Sequence, residues 1–241
     1  MPPFARPQQG TVERAQNSRS TEYTAPLSVE RPKVGYTAKS ADGQDAKASR
    51  IIWVPIPKWL AGKWVKQGDL TVSYTDLRTG VTTPVNQWTQ NIQTTTWGNQ
   101  IDGQGNVWHG YSIPTDFDGV SSGKSVRFTM VNGRRETTSP DHFVTRVHSI
   151  VSESYGDQIV DTFQQESLND LFALSAGELE NQSSTRDYTN EGQPIRQGML
   201  VSRFIKVGTF EVIEAQGGVD LLKSLNDYLR ANHMSQLVRT R

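Results

Sequence analysis

Residues 70–85, LTVSYTDLRTGVTTPV, decide the fold. Leu70, Val72 and Tyr74 alternate with Thr71, Ser73 and Thr75, the period of two that puts apolar side chains on one face of a strand. Arg78-Thr79-Gly80 supplies a turn, and Val81, Thr83 and Val85 resume the alternation, so the stretch predicts a β-hairpin. The pattern spreads downstream. Trp88, Gln90, Ile92, Thr94 and Thr96 keep one parity, Asp102-Gly103-Gln104-Gly105-Asn106 reads as a loop, and Val107–Ile113 as the next strand. Val126, Phe128 and Met130 alternate before Asn132-Gly133, a favoured pair for a tight I′ turn. Further strands are expected over 142–153, 157–165 and 198–213.

Two helices are expected. Gln164–Glu180, with Leu168, Leu171, Phe172 and Leu179, has mixed spacing and reads as a helix with loop. Leu221, Leu222, Leu225, Tyr228 and Leu229 recur at helical spacing, with Asp220 in the first turn and Arg230 late. The bland role of this amphipathic helix is packing on the sheet; its alternative is docking on a partner through Leu222 and Tyr228. Upstream, residues 1–50 hold five of the eleven prolines, eight basic and five acidic residues, and scattered apolar side chains such as Phe4, Tyr23, Leu27 and Tyr36. Such a segment buries too little surface to order itself and is expected to drape over something as an extended polar arm. The expected division is therefore an arm over 1–50, an antiparallel β domain over 51–216 and a carboxy-terminal helix within 217–241.

Composition narrows the function. Ser, Thr, Asn and Gln make up 73 of the 241 residues, which suits solvated strands better than long helices. Lys plus Arg equals Asp plus Glu at 25 each, so no overall field favours nucleic acid. With no cysteine there is no disulfide, thiolate nucleophile or Cys-based metal site. No apolar run is long enough to make a transmembrane segment. The amino end, MPPFARPQQG, lacks the apolar core of a signal peptide, so either the protein is not exported or a signal has been removed. The cysteine-free, polar β-rich chain fits an extracytoplasmic setting, periplasmic or secreted, or a virion.

Motifs that carry chemistry are few. Gly119–Ser125 has three residues between its glycines where a phosphate loop needs four, and a strand follows it instead of a helix. Asp116 and Asp118 fail as a calcium loop because Val120 occupies the fifth position. His142 and His148 share a parity and, with Glu153, form the one trio to weigh as a metal or acid–base site; histidines hydrogen-bonded on a sheet surface are the commoner outcome. No Gly-x-Ser-x-Gly is present. No catalytic, cofactor or metal site is assigned.

All six tryptophans lie between positions 53 and 108. Among them Gly62-Lys63-Trp64, after Trp59-Leu60-Ala61, resembles the Gly-x-Trp signature that opens the first barrel strand of lipocalins and other calycins. The run of antiparallel strand signals closed by a terminal helix is similar to that family's meander. The resemblance implies a barrel whose signature Trp packs under a basic side chain of the last strand, here Arg203, the one charged member of the face Met199, Val201, Arg203, Ile205 and Val207. It also implies a cavity for a small apolar ligand, lined by Trp64, Trp88, Trp97 or Trp108 with Arg203. The fold expected is mostly β, an antiparallel calycin-like barrel or a sandwich, with an extended amino-terminal arm and a carboxy-terminal amphipathic helix. The function expected is a non-enzymatic assembly subunit of a larger complex, such as a bacterial envelope machine or a virion, that grips other protein subunits through Phe4, Tyr23, Leu27, Tyr36, Leu222 and Tyr228. The alternative is a carrier of a small hydrophobic ligand.

Overall fold

A computed structural model describes residues 50–121, 123–189 and 191–240. Phe4, Tyr23, Leu27 and Tyr36 lie outside the described residues. Among the described residues the molecule is mostly antiparallel β, with one short α-helix near the carboxy-terminal end and a large sheet curled into a half-barrel.

The large sheet contains β2 (Gly62–Asp76), β3 (Thr82–Thr89), β4 (Gln93–Trp97) and the meander β7 (Thr115–Ser121), β8 (Lys124–Thr138), β9 (His142–Tyr155), β10 (Gln158–Ser175), β11 (Glu178–Tyr188) and β12 (Pro194–Gly208). Its order is β3-β2-β12-β11-β10-β9-β8-β7, with β4 also on β2. Among the described residues β3 and β7 end this path without meeting, so the curl is open there. A small sheet of β1 (Arg50–Ile56), β6 (Val107–Ile113) and β5 (Gln100–Ile101) packs against it. Val54, Ile56 and Val107 of the small sheet join Trp64, Phe143, Leu171, Leu179 and Phe204 of the large one in the main core.

On its other side the small sheet receives α1 (Leu221–Ala231). Asp220 caps it by accepting the Lys223 amide at 2.8 Å. Leu221, Leu225 and Leu229 are buried on Trp53 and Trp108, and the Trp53 indole donates to Ser224 Oγ at 3.2 Å. The chain then returns under the 102–106 loop, where the Gly103 amide donates to the Leu237 carbonyl at 2.7 Å. A Cβ at Gly103 would stand 2.8 Å from the Val238 carbonyl oxygen, which explains the glycine.

Three local expectations are corrected. Gln164–Glu180 is not helical but the long strand β10, a turn and the start of β11. Leu168 and Phe172 lie on one face and Leu171 and Leu179 serve the other, while both neighbouring strands pair along the segment. Asn132-Gly133 is no hairpin turn, because the residues before and after it both pair with β9 and the irregularity is a bulge within β8. The last long strand spans Pro194–Gly208 instead of 198–213.

Candidate functional site

The curl leaves a cleft of about 740 Å³ at the end of the large sheet away from the small one. One wall is the β2–β3 hairpin with Tyr74, Asp76, Arg78 and Val81; the other is Lys124 of β8, Glu153 of β9, and Asp161 and Phe163 of β10. Asp187, Ile195 and Arg196 join them. Strand register carries these residues to one face: Asp187 is opposite Arg196, Arg196 opposite Asp76, and Asp161 opposite Glu153.

Three ion pairs hold most of the charge in the cleft. Arg196 donates from Nε and Nη2 to Asp187 Oδ2, at 2.9 and 2.5 Å, and its guanidinium lies 5.5 Å from the Tyr74 ring. Burial works against the Arg196 cation, but Asp187 outweighs it and holds the pKa above the ordinary value. Lys124 Nζ donates to Glu153 Oε2 at 2.6 Å, and this bond raises the lysine pKa. Arg78 pairs with Asp76 at 3.3 Å and lowers that carboxyl's pKa through its hydrogen bonds. The lining thus presents four carboxylates and three cations around the rings of Tyr74 and Phe163. A lining of this kind offers both signs of charge for exchange with a charged group. Sequence reading missed it because its members are scattered from position 74 to 196, and only the strand register unites them.

The tryptophans expected around one ligand are dispersed. Trp64 is buried in the main core and donates from Nε1 to the Leu60 carbonyl at 2.8 Å. Trp97 packs at that core's margin with its ring tilted on His109. Trp108 belongs to the cluster under α1, and Trp88 on β3 is 38% exposed. The cation over Trp64 is Lys206, at 5.1 Å, and not Arg203, whose Nε donates instead to the buried Glu180 carboxylate at 3.2 Å. Between Arg203 and Phe204 the pairing of β12 with β2 slips by a bulge, so parity counted along β12 does not carry across to Trp64. Tyr228 sets its ring edge against Trp108, and Leu222 of the same helix is half-buried.

His142 and His148 share a face of β9, six residues and hence about 20 Å apart. His142 Nδ1 is 2.8 Å from Asp170 Oδ1, while His148 Nε2 is 3.6 Å from Glu166. Glu153 faces the cleft with Lys124, so the trio is not brought together. Among the described residues no group of three or more His, Asp or Glu side chains is placed to hold a metal ion, and no helix is long and apolar enough to cross a membrane. A scan against protein-family models and a search of curated proteins find no match for this chain.

Proposed function

We propose that this protein is a non-enzymatic assembly subunit that binds neighbouring proteins through the open curl of its large sheet. The observation that carries the reading is the β7 edge. Among the described residues β7 pairs with β8 alone, and it exposes Phe117 at 52% and Val120 at 81%. Unpaired strand edges are templates for another strand. The ion pairs Arg196–Asp187 and Lys124–Glu153 that line the cleft agree with a binding role. Native mass spectrometry of the full chain from its source tests it: co-purifying subunits that are lost in a Phe117→Lys/Val120→Lys variant support the reading, and a bare monomer sinks it.

A second reading, a calycin-like carrier, is favoured by Lys206 over Trp64 and by a cleft of small-molecule size. The charged lining would then select a polar ligand over an apolar one. A bound molecule of a few hundred daltons in the same spectra distinguishes this case.

A further inference from the structure

Strand register sets an apolar row across the cleft face of the large sheet. Phe117 of β7 is opposite Phe128 of β8, Phe128 is opposite Val151 of β9, and Val151 is opposite Phe163 of β10, which lines the cleft. Phe128, Val151 and Phe163 pack together with Val126. The row runs out at the open edge on Phe117, which is half exposed.

Both chain neighbours of Phe117 are acidic, and strand alternation turns them to the opposite face. Asp116 Oδ1 accepts from Thr129 Oγ1 at 2.6 Å and Asp118 Oδ1 from Arg127 Nε at 3.0 Å. Each carboxylate thus spends one oxygen on β8, and the Asp118 side chain is still 70% exposed. Val120 continues the acidic face, where the stem of a long cationic side chain can lie.

A strand added beyond β7 would set its side chains directly opposite these residues, and such cross-strand pairs stabilise a sheet when charges are opposite or both partners are apolar. The edge therefore favours Lys or Arg opposite Asp116 and Asp118, and an apolar residue opposite Phe117. Because the two aspartates flank Phe117 symmetrically, the pattern suits a parallel or an antiparallel guest. A second copy of this chain does not supply it at the described ends of its large sheet. Another β7 would set Asp against Asp, while β3 and β4 at the far end hold no Lys or Arg, and Pro84 in β3 has no N–H to donate.

We infer that the guest of the β7 edge is an extended strand of another protein in which basic and apolar residues alternate. The inference rests on the assembly reading and names the chemistry of its partner.

The probe is a fluorescein-labelled peptide of alternating lysine and valine, as long as the seven residues of β7, titrated into the full chain by anisotropy. It should bind at least about 10-fold more tightly than a peptide of the same composition with its lysines and valines in separate blocks, and lose about 10-fold in Asp116→Asn/Asp118→Asn. Asparagine keeps an accepting oxygen for Thr129 and Arg127, so the edge stays folded in this variant. Equal affinity for the two peptides, or equal affinity of wild type and variant for the alternating one, overturns the inference. Native mass spectrometry of the same variant from its source is the second measurement, and loss of the co-purifying subunits is expected. Subunits that stay bound overturn the inference and leave the assembly reading standing, whereas a bare monomer from the wild type overturns both.

Discussion

The ammonium of Lys206 on β12 stands 5.1 Å from the centre of the Trp64 ring on β2, and Gly62 lies directly beneath the same lysine. Gly62 has φ +135°, and a Cβ there would come within 2.6 Å of the Gly208 carbonyl oxygen and 2.7 Å of Lys206 Cε. The Gly and the Trp of the Gly-Lys-Trp motif therefore serve one contact: the glycine lets β12 approach and the indole receives its cation. Lys206→Met should keep the packed stem and lose only the cation, at a cost of about 1 kcal/mol. Gly62→Ala should cost about 3 kcal/mol through backbone strain and overlap with β12. Urea midpoints of the two variants check the ranking, and equal midpoints would remove the glycine from this account.

Asp102 organises the loop that leads into Trp108. Its carboxylate accepts the amides of Gln104 and Asn106 at 2.9 and 3.0 Å, the Asn106 side-chain N–H at 2.9 Å and the Trp108 indole N–H at 3.0 Å. Burial pushes its pKa up, but these donors outweigh burial and hold it below the ordinary carboxylate range. Asp102→Asn replaces one accepting oxygen by a donor and sets it against two or more N–H groups. The expected loss is about 2–3 kcal/mol, because the Trp108 indole is buried and has no water to turn to. Thermal unfolding, with tryptophan fluorescence reporting on Trp108, measures it.

The legible parts of the fold were those whose burial is apolar. Leu70 and Val72 announce β2, although a bulge at Val72 turns the exposed Tyr74 to the other face, and Leu221, Leu225 and Leu229 announce α1, because each set is buried on one side of its element. Residues 164–188 were not legible as strands. Their buried positions include Glu166, Asp170, Glu180, Gln182 and Ser184; Arg146, His142 and Arg203 on neighbouring strands bond to the first three, and the set breaks the apolar period on which sequence reading depends. The cleft was hidden for a related reason. Arg196 and Asp187 are nine positions apart and Tyr74 is far upstream, so nothing short of the β11–β12–β2 register joins them.

His109 makes stability fall on acidification. Its Nδ1 accepts the Gly98 amide at 3.1 Å, its ring meets Tyr111 edge-on, and burial lowers its pKa from 6.5 to about 4. The folded state therefore holds the neutral ring while the unfolded chain takes up a proton below pH 6.5. Stability from this group is complete above pH 6.5 and is lost as the pH falls toward 4. A shift of that size is worth at most about 3 kcal/mol, and the ring's partial exposure reduces the expected loss to about 2 kcal/mol. His148, lowered by burial too, adds in the same direction. Urea midpoints at pH 7, 5.5 and 4.5 should converge between the wild type and His109→Gln as the pH falls. A constant difference between the two proteins at all three values would show that His109 is not the titrating group.

Arg146 of β9 and Glu166 of β10, both nearly inaccessible, meet on the face of the large sheet opposite Phe143 and Leu171, with Arg146 Nη1 donating to Glu166 Oε1 at 2.5 Å. Arg146 also donates from Nε to Glu136 Oε1, and the Tyr188 hydroxyl donates to the other Glu166 oxygen at 3.1 Å. A buried pair of this kind adds little net stability, because desolvating both ions offsets their attraction. Removing one partner is different, since the survivor stays buried and loses its nearest counter-charge. Arg146→Met alone should cost about 3–5 kcal/mol, and so should Glu166→Leu alone. The double variant should cost well under the sum, because both desolvation penalties disappear together while the apolar replacements still fill the site beside Leu168. A double-mutant cycle in urea gives the coupling directly. Additive losses would mean that the two side chains are stabilised by separate surroundings.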